Sequence, residues 1–281
     1  MQTLGWQISQ IGTTRIFIKK LPLLPVSLIK ILRHRLLLAA KTLGRLQRQH
    51  HALITKQEPF LVEKQAGSKV YFRVLRGNHW PLLPTKTLWL DLTYPETKIL
   101  AKMRPKTRYN LKIATNNCLN AQVISGDRIN SQQLVRFYQL WSSNKPHNWL
   151  FKPRFSELKS LVESFGNKCF FVFINKSPLP PLCKRGGIPS FEKRGLGRIS
   201  TNSVACSLQL TSKNMAFYWH NASTDWGKKL FAPTLCIWEA IQEAKRRNTI
   251  IFDFEGVWDE RFPQLNRGWQ GFTRFKQGFS G

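Results

Sequence analysis

The sequence predicts an α/β fold with at least one parallel strand pair, and three observations carry that reading. First, "CFFVFIN" (169–175), "SVACSLQLTS" (203–212) and "MAFYWHNAS" (215–223) are apolar runs of strand length. Second, "LFAPTLCIWEAIQEAKRRN" follows, with Pro233 at a helix start and Leu235, Trp238, Ile241 and Ala244 at helical spacing. Third, "TIIFDFEGVW" (249–258) returns as a strand. Two strands, a helix and another strand put a parallel pair in one sheet.

The elements before that block are read in order. "TTRIFIKKL" and "HALITKQEPFLVEK" alternate like strands. Leu28 to Arg48 reads as one helix. "LRGNHWPLLPTK" is a loop of turn residues. Thr87 to Leu92 has strand character, and Thr93 is the expected helix cap, with Pro95 near the first turn and Glu96 completing a capping box. Pro105 ends or kinks that helix. A second helix starts near Lys106 and Thr107 and runs to Thr115. "NSQQLVRFYQLWSSN" is a helix capped by Ser131, and "FKPRFSELKSLVESFG" is one closed by Gly166.

The segment Ser177–Asn202 differs in kind. It is rich in Pro, Gly and cations and has no periodicity. Without it the flanks join as "FFVFINK–SVACSLQL", a hairpin with correct alternation. It reads as a disordered, low-complexity insertion at a hairpin tip, where added length costs little. The alternative is a basic nucleic-acid-binding loop.

Composition bounds the partners. The chain has 281 residues, 42% of them hydrophobic, enough for two domains with a packed core. Lys+Arg number 44 against 15 Asp+Glu, a net charge of +29. Such an excess points to polyanions: nucleic acid, an anionic membrane surface or a phosphorylated substrate. The five cysteines are Cys118, Cys169, Cys183, Cys206 and Cys236, and no two form a CxxC. That suits free thiols in a reducing, cytoplasmic compartment rather than a disulfide frame. His50 and His51 are adjacent, but no HExxH or HxxxH accompanies them, so no metal site is expected. "LPLLPVSLIKILRHRLLLAA" (21–40) is broken by prolines and cations and is not a span. A helix lying on the membrane surface and a helix packed on the protein both fit it.

For chemistry, no GxSxG occurs and no Cys has an evident His partner, so covalent catalysis is not indicated. The chain ends in "GFTRFKQGFSG", which sets Arg274 and Lys276 among Phe272, Phe275 and Phe279. A lysine held between aromatic rings is partly desolvated, and its charge then acts strongly on an oxyanion. The plain structural alternative for this tail is an edge strand with solvated cations. Lys106, Thr107, Arg108, Tyr109 and Asn110 lie at a helix start, where unpaired N–H groups and cations suit a diphosphate. Surface charge around a core Tyr109 is the competing reading. Asp253 and Glu255 alternate with Phe252 and Phe254, so both carboxylates share one strand face. They could orient an amine or pair with cations.

The order of strands, "FYWHNASTDWGKKLFAPTLCIWEAIQEAKRRNTIIFDFEGV" and "GFTRFKQGFSG" resembles the Fem family of peptidoglycan bridge-forming aminoacyltransferases. "LDLTYPETKILAKMRPKTRYNLKIA" (90–114) is similar to the family's Leu-Asp-Leu segment followed by Lys-x-Arg-Tyr-Asn. The resemblance covers Thr87 to Gly281 apart from the insertion. It implies two domains like those of GCN5-related acetyltransferases (GNAT-like), with mixed sheets flanked by helices. They are placed at 1–125, shortened relative to the family, and at 126–281, which carries the insertion at 177–202. It implies transfer of an amino acid from aminoacyl-tRNA to the stem peptide of a nucleotide- or lipid-linked precursor, with no cofactor. Lys276 matches the lysine implicated in stabilising the tetrahedral intermediate. Lys106 and Arg108 would contact the precursor's diphosphate, and Tyr109 and Asn110 of the same run are further substrate-binding candidates. Tyr218 would line the acceptor groove, Arg274 could hold a tRNA phosphate or the 3′ end, and Phe275, beside Lys276, is a further substrate-binding candidate. A monomer in contact with the inner membrane surface is expected. Two rival readings stay open: a CoA-dependent N-acyltransferase of the same fold, and a non-catalytic basic RNA- or membrane-binding homologue. Against the first, "KKLFAP" stands where a glycine-rich pyrophosphate loop would precede the helix.

Overall fold

A computed structural model describes residues 5–34, 37–75, 81–117, 119–144, 154–176 and 203–280. The chain forms two compact units, Met1–Trp89 with Glu255–Arg274, and Leu90–Phe254 with Phe275–Gly281. The boundary therefore falls between residues 89 and 90, not near 125, and the chain re-enters unit 1 late. A division made by sequence position alone cannot express that return.

Unit 1 opens with β1 (Gln7–Ile11), β2 (Thr14–Lys20), β3 (Ser27–His34), α1 (Ala40–Gln49) and β4 (Ala52–Pro59). The sheet order is β1-β2-β3-β4; the first two pairings are antiparallel, and β3–β4 is parallel, joined through α1. Ile16, Ile18, Ile29 and Ile31 are buried with Leu46 of α1. The single helix expected over Leu28–Arg48 is thus a strand followed by a helix. Ile29 and Ile31 are buried while Leu28, Lys30 and Leu32 are less uniformly so, a period of two that belongs to a strand. The membrane-lying helix goes with it, because the apolar stripe faces the unit's own core. The antiparallel strands β5 (Val62–Ala66), β6 (Lys69–Phe72) and β7 (Lys86–Asp91) follow, with Gly67 at φ +58 in the β5–β6 turn.

Unit 2 contains α2 (Glu96–Lys102), α3 (Pro105–Asn116), β8 (Leu119–Ser125), α4 (Ser131–Ser143), α5 (Phe155–Phe165), β9 (Cys169–Lys176), β10 (Ser203–Ser212) and β11 (Met215–Ser223). Then come α6 (Asp225–Lys229), α7 (Ala232–Arg246), β12 (Ile251–Gly256) and α8 (Gln270–Ser280). The strands run β12-β11-β10-β9-β8, with β11–β12 parallel and the rest antiparallel. One face packs Phe171, Phe173, Leu208 and Leu210 against Phe137 and Trp141 of α4 and Leu158 and Val162 of α5. α7 covers the other, burying Leu235, Trp238, Ile241 and Ala244. Coverage of both faces explains why β9 and β10 read as unbroken apolar runs.

The predicted hairpin across the insertion is present: Ser203 pairs with Asn175, and its hydroxyl donates to Asn175 Oδ1 at 2.6 Å. The insertion itself lies outside the described residues. Three local expectations change. Thr93 does not cap α2; its N–H and hydroxyl donate to Asp91 Oδ1 at 2.8 and 2.6 Å, and Pro95 is the N-cap. Pro105 opens α3 as its first residue, where its missing N–H costs nothing. Asn130, not Ser131, caps α4, in a capping box with Gln133. Gly166 does close α5, at φ +51. Among the described residues no helix is long and apolar enough to cross a membrane.

Candidate functional site

The chain end is a helix, α8, and not an edge strand. Within it Thr273, Lys276 and Phe279 are buried at 6%, 7% and 0% exposure. Their spacing of three puts them along one stripe of the helix. Phe279 packs against Phe254 of β12 with centroids 5.9 Å apart, and Phe275 meets it edge-on at 5.6 Å. Lys276 thus lies on the buried side of the helix, three residues before Phe279. Arg274 and Phe275 lie on the exposed side.

The last turn of α8 is seated on the start of α3. The N–H of Arg104 donates to the carbonyl of Gly278 at 2.9 Å. A Cβ on Gly278 would collide with Thr107 Oγ1, so glycine is what permits this approach. The helix that carries Lys276 and the helix that carries the Lys106–Asn110 run thus meet in unit 2 through Gly278 and Thr107. Lys106, Arg108 and Tyr109 are not buried, Tyr109 being 63% exposed, so Tyr109 is not core. Arg108 also supports the backbone. Its Nη1 donates to the carbonyls of Ala101 and Met103, at the end of α2 where helical partners run out.

Tyr218 stands elsewhere. It is 4% exposed and packs near Phe252, centroids 6.2 Å apart; burial pushes its phenol up. That position is core and not groove. Asp253, on the same strand as Phe252, is 1% exposed.

The three described thiols, Cys169, Cys206 and Cys236, are poor nucleophiles. Burial pushes Cys169 up to about 11 and Cys236 to about 12, and Cys206 well above its ordinary value. Cys236 belongs to a buried polar chain in which Gln209 Nε2 donates to Ser207 Oγ at 2.7 Å, and Ser207 Oγ lies 3.1 Å from Cys236 Sγ. Between β11 and α7, where an acetyltransferase-type phosphate loop would present free amides, a helical turn stands instead. The Gly227 N–H is taken by Thr224 Oγ1 at 2.9 Å, and the Thr234 N–H by the Phe231 carbonyl at 3.0 Å.

Sequence reasoning missed a polar cluster in unit 1. Lys86, 3% exposed, pairs with Glu260, and Tyr71 donates to Glu260 Oε1 at 2.5 Å. Arg261 binds Asp259 and Glu63 and donates to the carbonyls of Phe72 and Thr85. The signal was the charged run "DER" directly after an apolar strand, in a chain poor in acids.

These features define a tandem acetyltransferase-like α/β protein with a lysine-bearing terminal helix. Residues 198–281 match the FemAB family, so the resemblance read from the sequence holds where that helix lies. No curated protein matches the sequence. The fold is similar to the crystal structure of FemX, with a TM-score of 0.71 at 11% identity over 99% of this chain and 86% of that one. It is also similar to L-PGS from Bacillus licheniformis (TM-score 0.53, 11% identity, 98% and 80% covered). A tandem GNAT protein from the clavulanic acid biosynthesis pathway shares it too (0.51, 10%, 95% and 74%).

Proposed function

We propose that this protein is an aminoacyltransferase that moves an amino acid from aminoacyl-tRNA to the stem-peptide amine of a nucleotide- or lipid-linked peptidoglycan precursor. The observation that carries the reading is Lys276, a buried cation on a helix whose end is fastened to the cationic start of α3. The acceptor amine attacks the ester carbonyl, forming a C–N bond and an oxyanion. Collapse breaks the C–O bond to the tRNA ribose; the amine loses a proton and the ribose oxygen gains one. The enzyme needs no nucleophile of its own, in keeping with the described thiols Cys169, Cys206 and Cys236 held protonated by burial. Lys276 lies in a poorly hydrated place, where its charge stabilises the oxyanion more than it could in water. The ammonium group of Lys106 binds the precursor's diphosphate, with Tyr109 and Asn110 beside it. The neighbouring N–H groups of Arg104, Thr107 and Arg108 are given to the carbonyls of Gly278 and Arg104 and hold the start of α3 in place. Arg108 adds charge there while its Nη1 holds α2. Arg274 and Phe275, exposed on α8, contact the 3′ end of the tRNA.

The decisive experiment is to incubate the protein with charged tRNAs and a lipid-linked precursor and to weigh the product. A mass increment of one amino acid, dependent on tRNA, is expected. Lys276→Met keeps the buried volume and lowers the transfer rate about a hundred- to thousandfold, with tRNA retention unchanged. No increment with any charged tRNA refutes the activity. Full transfer by Lys276→Met refutes the role of the lysine. Loss of tRNA binding in step with activity favours a binding module.

A further inference from the structure

We infer that one end of the four-stranded sheet of unit 1 docks on an anionic phospholipid bilayer. The turn between β2 and β3, "LPLLPV", is closed by the Leu21 N–H donating to the Val26 carbonyl at 3.0 Å. It holds Leu23 at φ +67 and 103% exposure, and Leu24 at 57%. A leucine seldom adopts a left-handed conformation, and here the strained backbone points its side chain at solvent. β4 begins at the same end, since Ser27 pairs with Ala52, and presents Leu53 and Ile54 at 62% and 54% exposure. Four aliphatic side chains are thus gathered at one tip, which scattered surface hydrophobics do not do.

The rim is cationic. Residues 1–57 contain ten Lys and Arg and no Asp or Glu. Lys20 is exposed beside the turn, and Arg48 ends α1 at the same edge. Trp6, just before β1, lies under the ammonium groups of Lys19 and Lys30 at 5.6 and 4.9 Å. Aliphatic tips flanked by cations and a tryptophan match the layering of a bilayer: acyl boundary, then headgroup phosphates. Single-stranded RNA would want open aromatic faces to stack on; the tip itself is aliphatic, and the ring of Trp6 beside it carries the ammonium groups of Lys19 and Lys30. A second copy would bring like charges together, since each chain carries +29. The surface belongs to unit 1 alone and holds whichever acyl donor the other unit takes.

The experiment is cosedimentation of the full-length protein with large unilamellar vesicles of phosphatidylglycerol mixed with phosphatidylcholine, and of phosphatidylcholine alone. The protein pellets with the first and stays in solution with the second. Leu23→Asn combined with Leu24→Ser lowers the partition coefficient about tenfold or more. Asn accepts the turn's φ, and both side chains are solvent-facing, so the thermal melt is unchanged. Val135→Ser, an exposed apolar position on α4 at 38%, leaves binding as it was. Absence of binding to phosphatidylglycerol vesicles overturns the inference. So does equal binding by the double variant, which would mean attraction by charge alone. Loss of self-association or of tRNA affinity in that variant, with vesicle binding retained, overturns it in favour of a second copy or RNA.

Discussion

At the scale of single residues, Gly278 decides how the chain end is held. It touches Thr107 so closely that a methyl group has no room. Gly278→Ala should therefore lower stability by about 1–2 kcal/mol, even though alanine is the better helix former. The clash is with Thr107 Oγ1, whereas Thr107 Cβ is at an ordinary 3.5 Å. Thr107→Ala in the Gly278→Ala background should restore most of the loss. A double-mutant cycle by chemical denaturation measures this, and additive losses would show that the contact is not what excludes the methyl. The aromatic and cationic residues around Lys276 single it out in the sequence as a candidate. Its helical setting was not legible there, because Gly271 and Gly278 weaken any helical reading of "GFTRFKQGFSG". Only a neighbour absent from the local sequence, the start of α3, explains why a glycine stands there.

At the scale of elements, the connection from β12 to α8 is fixed by charge. Arg261 reaches two backbone carbonyls and two carboxylates. Arg261→Ala leaves Asp259, 4% exposed, without its guanidinium and should cost about 2–4 kcal/mol. The same cluster sets the response to pH. Partial burial acts to raise the Glu260 carboxyl, but hydrogen bonds from Lys86 and Tyr71 outweigh it and bring the group down to about 2. A carboxyl depressed by folding adds stability above its ordinary value of 4.5 and loses it as pH falls from there towards 2. Burial, then the bond to Glu260, pushes the Tyr71 phenol up to about 12 from 10.0. That contribution is present below 10.0 and is lost as pH rises towards 12. Urea midpoints followed against pH should fall at both ends. Glu260→Gln should flatten the acid limb and Tyr71→Phe the alkaline one; unchanged limbs would remove the cluster from the account. Periodicity revealed α7, α4 and α5, because each buries a regular apolar stripe. It failed at Leu28–Arg48, where a strand and a helix, both rich in leucine and cations, meet without turn residues to part them.

At the scale of the whole molecule, the sequence order of the elements and the spatial division of the chain do not coincide. Unit 1 is made from Met1–Trp89 and from Glu255–Arg274, with all of β8 to β11 between them. That is why the α/β class and the hairpin around the insertion could be read from local pattern, while the boundary expected near residue 125 could not. Boundaries read from composition assume that a unit is one stretch of chain. The consequence is testable with fragments. Residues 1–89 expressed alone would keep the isoleucine core of the first sheet, yet Lys86 and Tyr71 would lack Glu260, and the carbonyls of Phe72 and Thr85 would lack Arg261. A lysine that is 3% exposed cannot stay charged and buried without a counter-ion, so β6 and β7 should open to solvent. In the fragment, amide hydrogen exchange should be slow in β2 and β3 and fast in β6 and β7. Joining residues 255–274 to its end through a flexible linker should restore protection at β6 and β7. If 1–89 alone protects all of its strands equally, the late segment is not needed to complete the unit, and the charge cluster stabilises the connection without organising the fold.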